Sequence, residues 1–279
     1  MKQSNAPVPL KPKDYKSAIK PIWCPGCGDF AVLNAITKAL AWLQLPLENV
    51  ALISGIGCSS RIAAYTGVYG FHGVHGRALP LAAGLKAARE DLTVLVAGGD
   101  GDGLSIGGNH FIHACRRNMN MTYIIMDNEV YGMTKGQASP TTAPDWAGSK
   151  LTPGGTMIRS FKPAALALAS GASFIAKAFT GDPNELARIL VAAIEHKGFS
   201  FVHALSPCPT FRPEQMDWKH HVHAFEAETT SDPVLAIQRL QADDGMGMGI
   251  VYQKDLPVFQ PGGTSPGTEV AFFENEFAL

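Results

Sequence analysis

Three short apolar runs constrain this chain more than anything else in it: residues 49–57 (NVALISGIG), 91–99 (DLTVLVAGG) and 121–128 (MTYIIMDN). Each is too short for a stable helix, carries β-branched residues and ends in glycine or a polar turn residue, the profile of a fully buried strand. Helix-length segments stand between these three runs, at 78–90 (ALPLAAGLKAARE) and 103–118 (GLSIGGNHFIHACRRN), the second with Gly107 and Gly108 weakening its first turn. A further helix is expected over 29–43 (DFAVLNAITKALAWL), with Asp29 placed to cap it. The alternation resumes in 170–179 (SGASFIAKAF), 183–198 (PNELARILVAAIEHKG) and 199–207 (FSFVHALSP). Buried strands separated by helices require parallel pairing with helices on both faces, so the predicted fold is an α/β, doubly wound, mostly parallel sheet. Residues 1–20 read as an extended N-terminal arm and 21–215 as the ligand-binding domain. Beyond these, 216–279 read as an extension of loosened pattern, rich in Gly, Pro and Met over 242–268, that packs on the domain or on a partner.

Composition removes several function classes. The formal net charge of -1 argues against nucleic acid as the main partner. The polar, proline-bearing start, MKQSNAPVPLKPKDYK, has no apolar core of a secretory signal, and no uninterrupted apolar run reaches the ~18 residues of a membrane helix. A cytoplasmic location is therefore expected. The five cysteines then suggest metal binding, catalysis or packing ahead of disulfides.

The richest segment is VLVAGGDGDGLSIGGNH, followed by MDNEVYGMTKGQASPTT. A dinucleotide fingerprint needs a third glycine where Leu104 or Ile106 stands, an EF-hand needs Asp or Asn at Leu104, and no Walker lysine follows a suitable loop. What remains is a hard-cation site divided across one crossover. Asp100 closes one strand and Asn128 the next, so both side chains converge on the carboxyl edge of a parallel sheet, where open α/β folds bind ligands. A backbone carbonyl just beyond Asn128 adds a third oxygen. Such a set suits Mg²⁺ bridging to a diphosphate against glycine-rich backbone. The competing reading is that Asp100 and Asn128 merely cap the segments that follow them.

Cys24 and Cys27 form a Cys-x-x-Cys pair in IWCPGCGD. Read by itself, that pair fits half a zinc site, a redox dithiol or two thiolates of an iron–sulfur cluster. Cys115 falls inside a predicted helix, where a free cysteine serves as a small buried hydrophobe, and it is assigned no chemistry.

Gly99-Asp100-Gly101 followed by Asn128 resembles the cofactor motif of thiamine diphosphate enzymes. The longer run GGDGDGLSIGGNHFIHACRRNMNMTYIIMDNEVYGMTKGQASPTT, with WCPGCGD, GIGCSSR and FHGVHGRALPLAAGLKAA in the same order, resembles the β subunit of 2-oxoacid:ferredoxin oxidoreductases, especially the short bacterial 2-oxoglutarate type. The resemblance covers about 20–215 and fades through the tail. It implies a diphosphate-type thiamine domain in which Asp100, Asn128 and the Val130 carbonyl hold Mg²⁺, and Cys24, Cys27, Cys58 and Cys208 hold one 4Fe-4S cluster. Structural zinc usually takes two close pairs, and a dithiol leaves Cys58 and Cys208 unexplained, so the order of preference is cluster, zinc, dithiol.

Around the cofactor, Cys58, Ser59, His75, Gly99, Gly101, Asp102, Tyr131, Gly132 and Thr134 are the expected contacts. His75, Arg77 and Lys135 are the candidates for catalysis or for gripping the diphosphate or the substrate carboxylate, with ordinary packing or surface roles as their alternatives. His110 and His113 read as packing or surface residues. The resemblance further implies oxidative decarboxylation of a 2-oxo acid with coenzyme A, giving an acyl-CoA and passing electrons to ferredoxin, with reversal toward CO₂ fixation open. 2-Oxoglutarate is favoured over pyruvate on overall resemblance. A non-redox thiamine decarboxylase subunit, or a metal-stabilised module without turnover, are the other readings. One diphosphate-type domain nearly fills the chain, so the glutamate that activates thiamine is expected from a separate α subunit, in a heterotetramer of two α and two β.

Overall fold

A computed structural model describes residues 9–259; residues 1–8 of the expected arm and 260–279 of the expected extension lie outside the described residues. Eight strands form one sheet in the order β2-β1-β3-β4-β6-β5-β8-β7. The expected strands appear as β1 (Val50–Ser54), β3 (Thr93–Gly99), β4 (Met121–Asp127), β5 (Phe174–Phe179) and β6 (Phe199–Leu205), all mutually parallel where they pair. β1, β4 and β6 are buried along their whole length. That burial on both faces is why these runs carry apolar residues without alternation.

Helices cover both faces. The first core lies under α1 (Asp29–Trp42) and α6 (Pro183–Glu195), with Val32, Ile36, Leu40, Leu186 and Leu190 against Leu52, Leu95 and Ile124. The second lies under α2 (Ala78–Ala88), α4 (Gly108–Arg117), α5 (Pro163–Ala169) and α7 (Pro233–Ala242), around Phe111, Tyr123, Phe199 and Phe201. Cys115 is buried in this second core, and burial pushes its thiol well up, as suits a packing residue. His113 is exposed and His110 half-buried on α4.

The structure corrects four readings. Asp29 does not cap α1: Gly28 occupies the N-cap, and the Asp29 carboxylate is buried, accepting the Ser206 hydroxyl at 2.9 Å. The segment 103–118 is not one helix. A short α3 (Asp100–Leu104) ends at Ser105, and α4 begins only at Gly108, because the glycine pair favours a break over a continued turn. The arm is anchored over its described part, where a 3₁₀ turn at Pro12–Tyr15 buries Tyr15, whose hydroxyl donates to the Leu45 carbonyl at 2.6 Å. The tail is not loose throughout: it folds into α7 and β8 (Gly247–Gln253), which pairs antiparallel with β5, and the two-residue β7 (His223–Ala224) pairs with β8. Besides these, β2 (Tyr69–His72) adds an exposed edge strand parallel to β1.

Candidate cofactor site

All the loops that the sequence singled out meet at the carboxyl ends of β1, β3, β4 and β6. There Ile56–Ser59, His75, Gly99–Asp102, Asn128, Val130–Thr134 and Gln137 line a cavity of about 550 Å³. Asp100 opens α3 directly after β3 and is buried beneath this cavity. Its Oδ2 accepts from the Ser139 hydroxyl, and the Thr141 hydroxyl stands 2.7 Å from it and 2.8 Å from Asp127 Oδ1. One hydroxyl hydrogen can serve only one of those two carboxylates. Burial, and next the Asp127 carboxylate, push Asp100 up to about 8. Within that pair Asp127 has the His203 ring beside it, whereas Asp100 is met only by hydroxyls, and a buried carboxylate without a basic partner favours a cation beside it.

Asn128 follows β4, and its side-chain oxygen accepts the Val130 amide at 3.1 Å, forming a tight turn around Glu129, which sits at a φ of 52°. Asp100, Asn128 and Val130 thus border the same cavity with carboxylate, amide and backbone oxygens, a donor set chemically suited to Mg²⁺. Tyr131 lies over Gly101 and donates to its carbonyl at 3.1 Å; a β-carbon at Gly101 would stand 2.3 Å from the tyrosine ring, so only glycine fits there.

The remaining candidates divide. His75 lines the cavity, its Nδ1 2.9 Å from Asp102 Oδ1. The same oxygen accepts the amides of Ile56 at 3.0 Å and Gly76 at 2.7 Å, so the Asp102 carboxylate ties together two loops of the wall. Ser59, Gly99, Gly132 and Thr134 are also in the lining. Arg77 is outside it, its guanidinium directed to the carbonyls of Gly76 at 3.3 Å and Ile106 at 3.4 Å. Lys135 is exposed at the loop tip, at a φ of 78°, and is likewise outside the lining.

Beside the cavity the four cysteines gather from three loops. Gly26 turns the Cys24–Cys27 loop at a φ of 84°, where a side chain is strained, and the Cys27 amide closes that turn onto the Cys24 carbonyl at 3.0 Å. The loop is fastened to both other cysteines: the Trp23 indole donates to the Cys58 carbonyl at 2.7 Å, and the Gly28 amide donates to the Pro207 carbonyl at 3.2 Å. A β-carbon at Gly132 would lie 3.6 Å from Cys58 Sγ, so the cysteine group adjoins the cavity wall. Burial, then Asp29, push the thiols of Cys27 and Cys58 up, Cys58 to about 11. Only thiolates are metal ligands, so a cation bound here would have to displace those protons. Sequence reasoning missed Ser139, Thr141, Asp127, His203 and Gln215. His203, a polar residue inside the apolar run of β6, was the one with a local signal; its Nε2 stands 2.8 Å from Asp127 Oδ2.

Comparison with known proteins decides what this edge belongs to. Residues 55–204 match the family of the thiamine pyrophosphate enzymes, C-terminal TPP binding domain. The β subunit of 2-oxoacid:ferredoxin oxidoreductase 2 from Aeropyrum pernix is 38% identical over 254 residues, covering 86% of this chain and 82% of that one. The chain belongs to the 2-oxoacid:ferredoxin oxidoreductase β subunits. It is accordingly an oxidoreductase subunit, and its sheet is the thiamine diphosphate-binding fold. The 2-oxoglutarate oxidoreductase subunit KorB of Mycobacterium tuberculosis is 49% identical over 209 residues, 75% of this chain but 56% of that protein's length. Among solved structures, 2-oxoglutarate:ferredoxin oxidoreductase from Magnetococcus marinus, with 2-oxoglutarate, coenzyme A and succinyl-CoA bound, superposes with a TM-score of 0.87. It is 40% identical, and the match covers 99% of this chain and 92% of that one.

Proposed function

We propose that this β subunit takes part in the coenzyme A-dependent oxidative decarboxylation of 2-oxoglutarate to succinyl-CoA and CO₂, with electrons leaving through one 4Fe-4S cluster to ferredoxin. The observation that carries the reading is the adjacency of the two groups of residues: the Asp100–Asn128–Val130 oxygens line the cavity whose wall adjoins Cys58. Bound thiamine diphosphate supplies the carbanion chemistry and the cluster a one-electron outlet. The chain's own residues bind and orient. Asp100, Asn128 and the Val130 carbonyl hold Mg²⁺; Ser59, Gly99, Gly101, Tyr131, Gly132 and Thr134 cradle the diphosphate. Asp102 fixes the His75 ring against the cavity through the 2.9 Å contact. Arg77 and Lys135, outside the lining, are assigned to the substrate carboxylate at the rim. Cys24, Cys27, Cys58 and Cys208 hold the cluster.

The choice of 2-oxoglutarate rests on the substrate named for the Magnetococcus and Mycobacterium relatives. An α subunit supplies the activating glutamate, in a pair of αβ units, and the reaction runs in either direction with ferredoxin potential. No helix among the described residues is long and apolar enough to cross a membrane. Purification of the chain co-expressed with its α subunit without oxygen tests the reading. About four irons per β chain and broad absorbance near ~400 nm are expected. A colourless complex with stoichiometric zinc would overturn it.

A further inference from the structure

The segment that follows Cys208 folds back onto the turn that follows β4, and one side chain joins them. Gln215 is fully buried. Its Oε1 accepts the Cys208 amide at 3.0 Å, and its Nε2 donates to the Asn128 carbonyl at 2.8 Å. The amide orientation is fixed by chemistry, because the N–H of Cys208 needs an acceptor and the carbonyl of Asn128 needs a donor. Arg212 adds a second tie, donating to the Glu129 carbonyl at 3.0 Å and pairing with its carboxylate at 2.9 Å while lying 4.6 Å over the Trp146 ring. Outside support of this kind is what the turn requires. Glu129 holds a left-handed φ of 52°, a conformation that costs a residue with a β-carbon about 1–2 kcal/mol.

We propose that Gln215 is a positioning residue that couples the cysteine site to the cation–diphosphate site, a role that rests on the functional reading above. Its two ends do different things. At one end it holds the Asn128–Val130 turn in the register that presents those oxygens to the cavity. At the other it occupies the N–H of Cys208, keeping that donor away from the sulfurs. Hydrogen bonds to cluster sulfurs are among the factors that set reduction potential, and each one favours the more negative reduced state. Gln215 therefore keeps the potential low, which suits an electron outlet to a low-potential acceptor.

Two substitutions separate the ends. Gln215→Met removes both contacts; Gln215→Glu retains an acceptor for the Cys208 N–H but withdraws the donor from the Asn128 carbonyl. Each is made in the full chain co-expressed with its α subunit. The readouts are iron content, the cluster's midpoint potential by electron paramagnetic resonance titration, and the Mg²⁺ concentration for half-maximal thiamine diphosphate binding. In Gln215→Met the potential rises and the Mg²⁺ requirement increases about tenfold, the loss of one buried hydrogen bond. In Gln215→Glu the potential stays at or below that of the wild type, while the Mg²⁺ requirement increases at least as much. The proposal is overturned if both variants keep wild-type potential and Mg²⁺ dependence, or if both move the potential upward alike. A wild-type complex with no iron–sulfur signal refutes instead the functional reading on which the proposal stands, a result distinguishable from either of those.

Discussion

Two buried carboxylates near the same sheet have opposite surroundings. Asp243, at the end of α7, receives the Lys177 ammonium from β5, and Lys177 also donates to the Gly245 carbonyl at 2.9 Å. Both side chains of that pair are at least nine-tenths buried, and each has its charge answered within the chain. Asp100, after β3, has hydroxyls and a second carboxylate around it instead. The first arrangement fastens the C-terminal element to the sheet. The second is left electrostatically incomplete by the protein, and it lines the cavity. Burial alone therefore does not separate a structural charge from a ligand-binding one; the identity of the partner does.

Removing a partner exposes the difference. Lys177→Met leaves Asp243 buried and unpaired, and should destabilise the chain by about 3–5 kcal/mol in denaturant unfolding. Replacing Asp243 by Leu in the same variant should restore most of that loss, since a well-packed apolar pair avoids the desolvation of both charges. A loss near zero in Lys177→Met would mean that this pair does not fasten the C-terminal element to the sheet.

The carboxylate beside the cavity has its own signature, a dependence of stability on pH. The Asp100 carboxyl is raised to about 8 by burial and by Asp127, whereas an unfolded aspartate titrates near ~3.9. Between those values the folded chain holds a proton that the unfolded chain has lost. Stability without Mg²⁺ therefore falls as pH rises through that window, and is unaffected below it. Thermal melts from pH 4.5 to 8 should show the fall in the wild type. Asp100→Asn should flatten it, and a slope of the same size in the variant would assign the effect elsewhere.

Much of this was legible in the sequence, for definable reasons. β1, β3, β4 and β6 are buried on both faces, so their apolar runs are unbroken and each ends in a glycine or polar turn. Asp100 and Asn128 follow such strands directly, which places them at one edge by topology alone. β8 was hidden because its first residues, Gly247-Met248-Gly249, have the composition of a loop, and its pairing with β5 is made by tertiary contact. β2 is exposed at all four positions, and its short run, Tyr69 and Phe71 around Gly70, is not an unbroken apolar stretch. In the site, Ser139, Thr141 and Gln215 act through hydrogen bonds from loops distant in sequence, and nothing in their local spacing marks them. Asp102 lines the cavity as expected of a cofactor contact, but the bonds of its Oδ1 to the amides of Ile56 and Gly76 and to the His75 ring are not encoded in local sequence.

Asp100 is the central residue of the proposed cation–diphosphate site, as its anionic half. Calorimetric titration of thiamine diphosphate into the co-expressed complex, with and without Mg²⁺, measures this directly. The wild type should bind with Mg²⁺ and lose most of that affinity without it. Asp100→Asn should weaken Mg²⁺-dependent binding at least about 100-fold, roughly 3 kcal/mol for a lost charged contact, with iron content unchanged. Equal affinity in the wild type and the variant would contradict the assignment.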